Sequence, residues 1–140
     1  MNRKILLDDI SCVLREQGFI ETTSEKPMTY QRNVKYPSIF PSKNDYAHYV
    51  VHTPKRNIQI VAKFQETNGT AIEKLGYTVM DAARTPYDDY VVVCGGSELL
   101  KDDRAVSFLN SYRHAAPKLT ALTVCDLANF IRTDLNKKAA

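Results

Sequence analysis

No window of the chain approaches the roughly 18 unbroken apolar residues that a membrane span requires, so a membrane-embedded protein is not expected. Glycine and proline are scarce, at 5 and 6, which excludes a collagen-like or low-complexity chain. The three cysteines, Cys12, Cys94 and Cys125, are odd in number and far apart, with no CxxC or Cys/His spacing that would build a zinc site or a disulfide scaffold. Each stands beside apolar residues, so they read as buried free thiols in a reducing, cytoplasmic setting. A secretory signal is not expected either, because Asp8 and Asp9 interrupt the short apolar start at Ile5, Leu6 and Leu7. There are no internal repeats.

What is present is ordinary for a globular domain. The chain has 140 residues, 44% hydrophobic and 25% charged, which suits one compact domain over residues 1–140. The net charge of +3 carries little information, but its distribution does. Between Lys26 and Lys63 stand Lys26, Arg32, Lys35, Lys43, Lys55, Arg56 and Lys63, with Asp45 the lone acid. Tyr30, Tyr36, Tyr46 and Tyr49 are interleaved with them, as are His48 and His52. Such a segment suits a polyphosphate backbone, whose condensed counterions are released on neutralisation. It suits a solvated basic face equally well. A face made only for phosphate has no use for the single carboxylate, and that favours a functional role for Asp45.

Ile5, Leu6, Ile10, Val13 and Leu14 recur at helical spacing before Gly18, predicting a helix over 4–17. Residues 20–44 contain Pro27, Pro37 and Pro41 and read mostly as loop, with one short edge strand over 28–34. Residues 45–52 and 58–65 have period-2 character, and the turn-forming stretch 53–57 joins them into a hairpin. Asn68-Gly69-Thr70 punctuates, and Thr70 is the expected N-cap of a helix that ends before Pro86. Tyr90–Cys94 reads as a buried strand closed by Gly95-Gly96. A helix near 104–113, a strand near 119–124 and a helix over 126–136 complete the chain. The expected fold is α/β, a mixed central sheet flanked by helices.

Alternation places Val61, Lys63 and Gln65 on one face of the second hairpin strand and Ile60, Ala62 and Phe64 on the other. A lysine at the centre of a sheet is costly to desolvate unless it meets a counter-charge or a ligand. Asp45 on the neighbouring strand and Glu73 in the first turn of the next helix are the candidate counter-charges. An Asp, a Glu and a Lys converging at a sheet end can hold Mg²⁺ and touch a phosphate, with the carboxylates as hard oxygen ligands. The metal polarises the phosphoryl group, and the lysine stabilises the charge that develops there.

With these residues in place, the chain resembles the PD-(D/E)XK nuclease superfamily, the restriction-endonuclease-like fold. The resemblance rests on Asp45, the hairpin, Ile60-Val61-Ala62-Lys63-Phe64-Gln65 and Gly69-Thr70-Ala71-Ile72-Glu73-Lys74. It spans about residues 4–135, but its specific part is residues 45–74. It implies a Mg²⁺-dependent DNA endonuclease, with Mn²⁺ able to substitute. Asp45, Glu73 and the Ala62 carbonyl would hold the metal, Lys63 would assist the attacking water, and Gln65 would orient water or contact DNA. Lys55, Arg56 and Lys74, with Lys43 and Arg32, would contact phosphates, and a homodimer would cut both strands. One departure matters: the family carries an acid two residues before the lysine, and here stands Val61, which cannot ligate Mg²⁺. Some members place that acid on the adjacent helix, where Glu73 is expected. The alternative is a catalytically inactive nuclease fold that binds nucleic acid or inhibits a partner. A third reading is a protein–protein interaction domain with no nucleic-acid partner.

The same residues have plainer readings. Asp45 beside Asn44 also suits a strand-start or turn residue, Lys63 an edge gatekeeper, and Glu73 an ordinary first-turn acid. His48 and His52, four apart on a strand, are too distant for a joint metal site. His114 reads as an imidazole at a helix C-terminus.

Overall fold

The computed structural model describes residues 2–67 and 69–136. Asn68, part of the expected punctuation, lies outside the described residues. The first helix, α1 (Arg3–Glu16), starts where Asn2 Oδ1 accepts the Ile5 N–H, and it buries Leu6, Ile10 and Leu14. A two-residue strand β1 (Ile20–Glu21) follows, then β2 (Thr29–Pro37), β3 (Asn44–His52) and β4 (Asn57–Phe64). Helix α2 (Leu75–Ala83) leads into β5 (Asp89–Gly95). A single turn α3 (Ser97–Leu100) and a 3-10 turn precede α4 (Arg104–Ser111), and β6 (Leu119–Thr123) runs into α5 (Val124–Asn136).

The six strands form one sheet in sequence order. β3 runs antiparallel to both β2 and β4, while β5 and β6 continue parallel to β4. Each parallel step needs a crossover, which α2 and the α3–α4 segment provide. Alternation along β4 sorts the core into two halves. Ile58, Ile60 and Ala62 pack with α1 and α5 residues such as Leu6, Ile10, Leu127 and Ile131. Val61, with Val92 and Cys94, packs with Leu75, Val79 and Leu109 of α2 and α4. The expected mixed sheet with helices on its faces is the fold observed, and among the described residues no helix is long and apolar enough to cross a membrane.

Four expectations need correcting. The short edge strand over 28–34 is the nine-residue strand β2, longer than expected and covered by β1 only at Thr29 and Tyr30, so most of it is an edge. Pro37 ends that strand instead of preventing it, since a proline is tolerated where the ladder stops. Helix α2 begins at Leu75, not beside Thr70, and its N-cap Lys74 makes no side-chain cap bond. The α3 turn was not anticipated. Of the cysteines only Cys94 is buried, with its thiol pushed up to about 12 by that burial, while Cys12 and Cys125 are exposed.

The end of β4 is clamped by a close backbone crossing. Gly96 has φ +92°, and a Cβ built there would lie 2.3 Å from the Gln65 carbonyl oxygen. Only glycine fits so close an approach. The Gln65 N–H donates to Gly95 O, and the Glu98 and Leu99 N–H groups donate to Gln65 O. The end of the segment that carries Lys63 is therefore held by the turn that follows β5.

Candidate active site

Strands β3 and β4 pair only from Tyr49–Ile60 to His52–Asn57. Beyond Ile60 they splay apart, and the gap between them, roofed by α2, is a cavity of about 340 Å³. Asp45, Tyr46 and His48 of β3 line it, with Val61, Ala62 and Lys63 of β4, Tyr77 and Asp81 of α2, Lys74, and Arg3 of α1. The splay removes ladder partners, and one substitute is visible. The buried Ala62 N–H donates to Nδ1 of His48 at 2.8 Å.

That bond fixes the histidine. A neutral imidazole has one acceptor nitrogen, and Nε2 lies 2.6 Å from Nη2 of Arg3. The ring satisfies Ala62 or Arg3, not both. Ala62 N–H is buried and has no water to turn to, so Nδ1 serves it and the exposed Arg3 guanidinium is left to an outside anion. Burial, with Arg3 and Lys63 nearby, pushes the His48 pKa down to about 4, so the ring is neutral at neutral pH.

Two carboxylates face the same space. Asp45 Oδ2 accepts the Tyr77 hydroxyl at 2.5 Å. Asp81 is only 4% exposed, and its Oδ2 accepts hydroxyls from Tyr36 at 2.5 Å and Tyr90 at 2.7 Å. Both phenols are held well above their usual pKa, by burial first and by Asp81 next. Oδ1 of Asp81 is buried without a hydrogen-bond partner, the nearest cation being Arg84 Nη1 at 3.6 Å. Lys63 stands in this field with its pKa lowered, because burial and Arg3 outweigh the pull of Asp81 and Asp45. A half-buried ammonium lining the same open space as two carboxylates can stabilise a phosphoryl group in transfer.

A family model described as a PD-(D/E)XK nuclease superfamily domain matches residues 2–138. The chain belongs to the PD-(D/E)XK nuclease superfamily. No curated protein and no solved structure matches the chain, so the family is known without a relative's substrate.

Nucleases of this superfamily usually use a divalent metal, and the residues present can be tested against one. Val61 lines the cavity at 6% exposure and offers no oxygen. Among the described residues no group of three or more His, Cys, Asp or Glu gathers. Mg²⁺, however, is commonly held by one or two carboxylates, with waters and substrate phosphates completing its shell. Asp45 and Asp81 supply two, and Oδ1 of Asp81, with the Arg84 guanidinium at 3.6 Å, is a buried acceptor that makes no hydrogen bond. The donor set fits a hard cation.

The residues singled out by sequence are dispersed. Lys63 and Asp45 share the cavity, as do Ala62 and Lys74. Glu73 does not join them: its side chain is exposed on the turn before α2, outside the cavity lining. The cause is the late helix start, which leaves Glu73 ahead of the first helical turn. Gln65 is buried, and its side-chain carbonyl accepts the Ile72 N–H, a bond that ties the following loop to β4. Arg56 and Lys55 lie at the other end of the hairpin, about 20 Å along the strand at roughly 3.3 Å per residue. Arg56 is occupied by Asp89 at 2.7 Å and Asp134 at 3.2 Å. Arg32 lies over the Tyr49 ring, 5.4 Å from its centroid, and Lys43 is exposed in the β2–β3 turn.

Sequence reasoning missed Asp81, His48, Tyr77 and Arg3. For Asp81 a signal existed. It follows Tyr77 by four and Thr78 by three, so it shares their side of α2, and an acid on a sheet-facing helix surface is unusual enough to flag.

Proposed function

We propose that the protein is a Mg²⁺-dependent endodeoxyribonuclease that hydrolyses phosphodiester bonds in this cavity. The observation that carries the reading is the meeting of Asp45, Lys63 and Asp81 around one open space at the splayed end of the β3–β4 hairpin. Asp45 and Asp81 would hold the metal, with the Ala62 carbonyl beside them, and Asp81 would take the place that sequence assigned to Glu73. The chemistry supplied by an ion held there would be Lewis-acid polarisation of the phosphoryl group and a lower pKa for the attacking water.

The protein groups do the rest. The lowered pKa of Lys63 makes its ammonium a readier proton donor than an ordinary lysine, and while charged it opposes the negative charge building on the phosphoryl oxygens. Arg3 and Lys74, with no acid within 4.0 Å among the described residues, take non-bridging phosphate oxygens. Such contacts position a strand without reading its bases. Tyr77 holds the Asp45 carboxylate in its rotamer. One cavity cuts one strand, so nicking is the activity of a single copy, and double-strand cutting by a homodimer requires a second. The three cysteines, none in a disulfide, support work in a reducing compartment such as the cytoplasm.

The test is nicking of supercoiled plasmid with Mg²⁺ or Mn²⁺, against EDTA, by the native chain and by Lys63→Ala and Asp45→Asn. Loss of nicking in both variants supports the reading. A specific observation also favours the inactive nucleic-acid-binding alternative: Val61 brings no ligand, and Asp81 already accepts two phenols. Salt-sensitive DNA binding with no metal-dependent nicking would establish that second reading.

A further inference from the structure

His48 stands in the gap where the β3–β4 ladder has stopped, and its ring replaces a missing ladder partner. The Ala62 N–H donates to Nδ1 at 2.8 Å, so Nδ1 presents a lone pair and carries no proton. A neutral imidazole then keeps its single proton on the other nitrogen, which makes Nε2 an N–H donor. A backbone group inside the sheet has thus chosen the tautomer.

Nε2 meets no acceptor in Arg3. It lies 2.6 Å from Nη2 of that residue, and a guanidinium has only donors. Two donors that close cannot bond to each other, but one oxygen with two lone pairs can take an N–H from each. The charges that bear on the ring are Arg3, Lys63 and Arg32, all cations. None of the three has an acid within 4.0 Å among the described residues.

Arg3 and His48 both line the cavity. Helix α1, which carries Arg3, packs on the Ile60 and Ala62 face of β4, whereas α2 packs on the Val61 face. Arg3 therefore reaches the cavity from the side opposite Tyr77 and Asp81. An anion with several acceptor oxygens suits three unpaired cations and a neutral donor, and a phosphate is the group that a guanidinium grips best.

We propose that His48 is a phosphate-binding residue, its Nε2–H and the Arg3 guanidinium together holding one phosphate group of a bound nucleic-acid strand. The inference rests on the nuclease reading above and deepens it, adding a neutral donor to the cations that hold the strand. His48 acts by hydrogen bonding and moves no proton to or from the reacting atoms. Inorganic phosphate offers the same chemistry, so the test separates the two sources.

The experiment uses the full ¹⁵N-labelled chain at neutral pH, with EDTA present so that binding does not depend on a metal. Long-range proton–nitrogen correlation spectra read the His48 tautomer and the position of Nε2 as inorganic phosphate or a short DNA duplex is added. The His48→Asn spectrum identifies the signals. The expected result is a proton on Nε2, none on Nδ1, and an Nε2 resonance that moves when DNA is added. His48→Asn keeps an acceptor for Ala62 but has no group at the Nε2 place, so DNA affinity should fall about tenfold, the worth of one hydrogen bond to a charged group. His48→Gln, whose amide nitrogen reaches the Nε2 place, should recover part of that loss. A merely structural histidine gives the reverse order, because Asn and not Gln can accept from Ala62. A proton on Nδ1, an Nε2 unmoved by DNA, or movement with inorganic phosphate alone overturns the proposal, and the native chain by itself decides all three. Plasmid nicking with Mg²⁺ separates the two readings. Nicking with an unmoved Nε2 sinks the role of His48 and leaves the nuclease, whereas a DNA-dependent Nε2 shift without nicking keeps the phosphate site and sinks the nuclease.

Discussion

The two ends of the β3–β4 hairpin are built from similar residues and have opposite electrostatics. At the turn end, His52 Nδ1 meets Asn57 Oδ1, the Asn57 N–H donates to Asp88, and Arg56 bridges Asp89 and the buried Asp134. The charges of Arg56 and Asp89 cancel there, and the strands stay paired. At the open end the ladder stops, Ala62 borrows an acceptor from His48, Lys63 makes no hydrogen bond or ion pair among the described residues, and Asp81 keeps a bare oxygen. A cation with a partner stabilises a fold; a cation without one, held in place by a sheet, is available to a ligand. The contrast separates Arg56 from Lys63 and Lys74, three residues that look alike in a sequence.

Substitution at the open end should have the largest effect. Lys63→Met is expected to reduce metal-dependent cleavage by roughly 10²–10³-fold, the loss typical of removing one preorganised charge stabiliser, as read by plasmid nicking. The same change should raise the melting temperature. The folded-state pKa of Lys63 lies below its ordinary value, so at neutral pH the charged side chain destabilises the fold, and that cost vanishes only as pH rises through the folded pKa towards about 10.5. A Lys63→Met variant that is both inactive and less stable would contradict this account.

Asp81→Asn comes next. Mn²⁺ binding measured by electron paramagnetic resonance should weaken by roughly 10–100-fold, as should the Asp45→Asn variant, while Glu73→Gln leaves it unaltered. Weakened binding in Glu73→Gln and not in Asp81→Asn would return the second ligand to the turn before α2.

The turn end answers to a different measurement. Arg56→Ala strands the buried Asp134 and should cost about 1–2 kcal/mol in urea unfolding, with no change in DNA affinity. Lys74→Ala should do the reverse, leaving stability within about 0.5 kcal/mol and reducing the slope of log affinity against log salt by about 1. If Arg56→Ala weakened DNA binding as Lys74→Ala does, the distinction between the two ends would fail.

The smallest effect concerns acid. His48 has a folded-state pKa of about 4 against an ordinary 6.5, so it favours the fold above about 6.5 and this contribution is lost as pH falls from there to about 4. Replacing it by Asn, which cannot take up a proton, should make the pH dependence of stability shallower across that window. An identical slope would mean the ring titrates at its ordinary value.

Much of this was legible in the chain. Period-2 alternation from Ile58 to Gln65 correctly divided β4 into two faces, because the pleat imposes the period whatever packs above it. The run Tyr90–Cys94 read as buried because a strand covered on both sides leaves no position for a charge. Boundaries that depend on a neighbour were less legible. β2 runs to Pro37 because β3 lies beside it, and α2 starts at Leu75 because the preceding loop is tied to Gln65.

What local residues determined by themselves was most of the pattern of strands and helices, the family, and the choice of Asp45 and Lys63 as candidates, since period and motif are properties of a short stretch of chain. The tertiary structure alone decided which charges remain unpaired. Arg56 meets Asp134 from the last helix, Asp81 reaches the cavity from a different element than Lys63, and Glu73 falls outside it. Pairing depends on distances between segments remote in sequence, and those distances exist only once the sheet has formed.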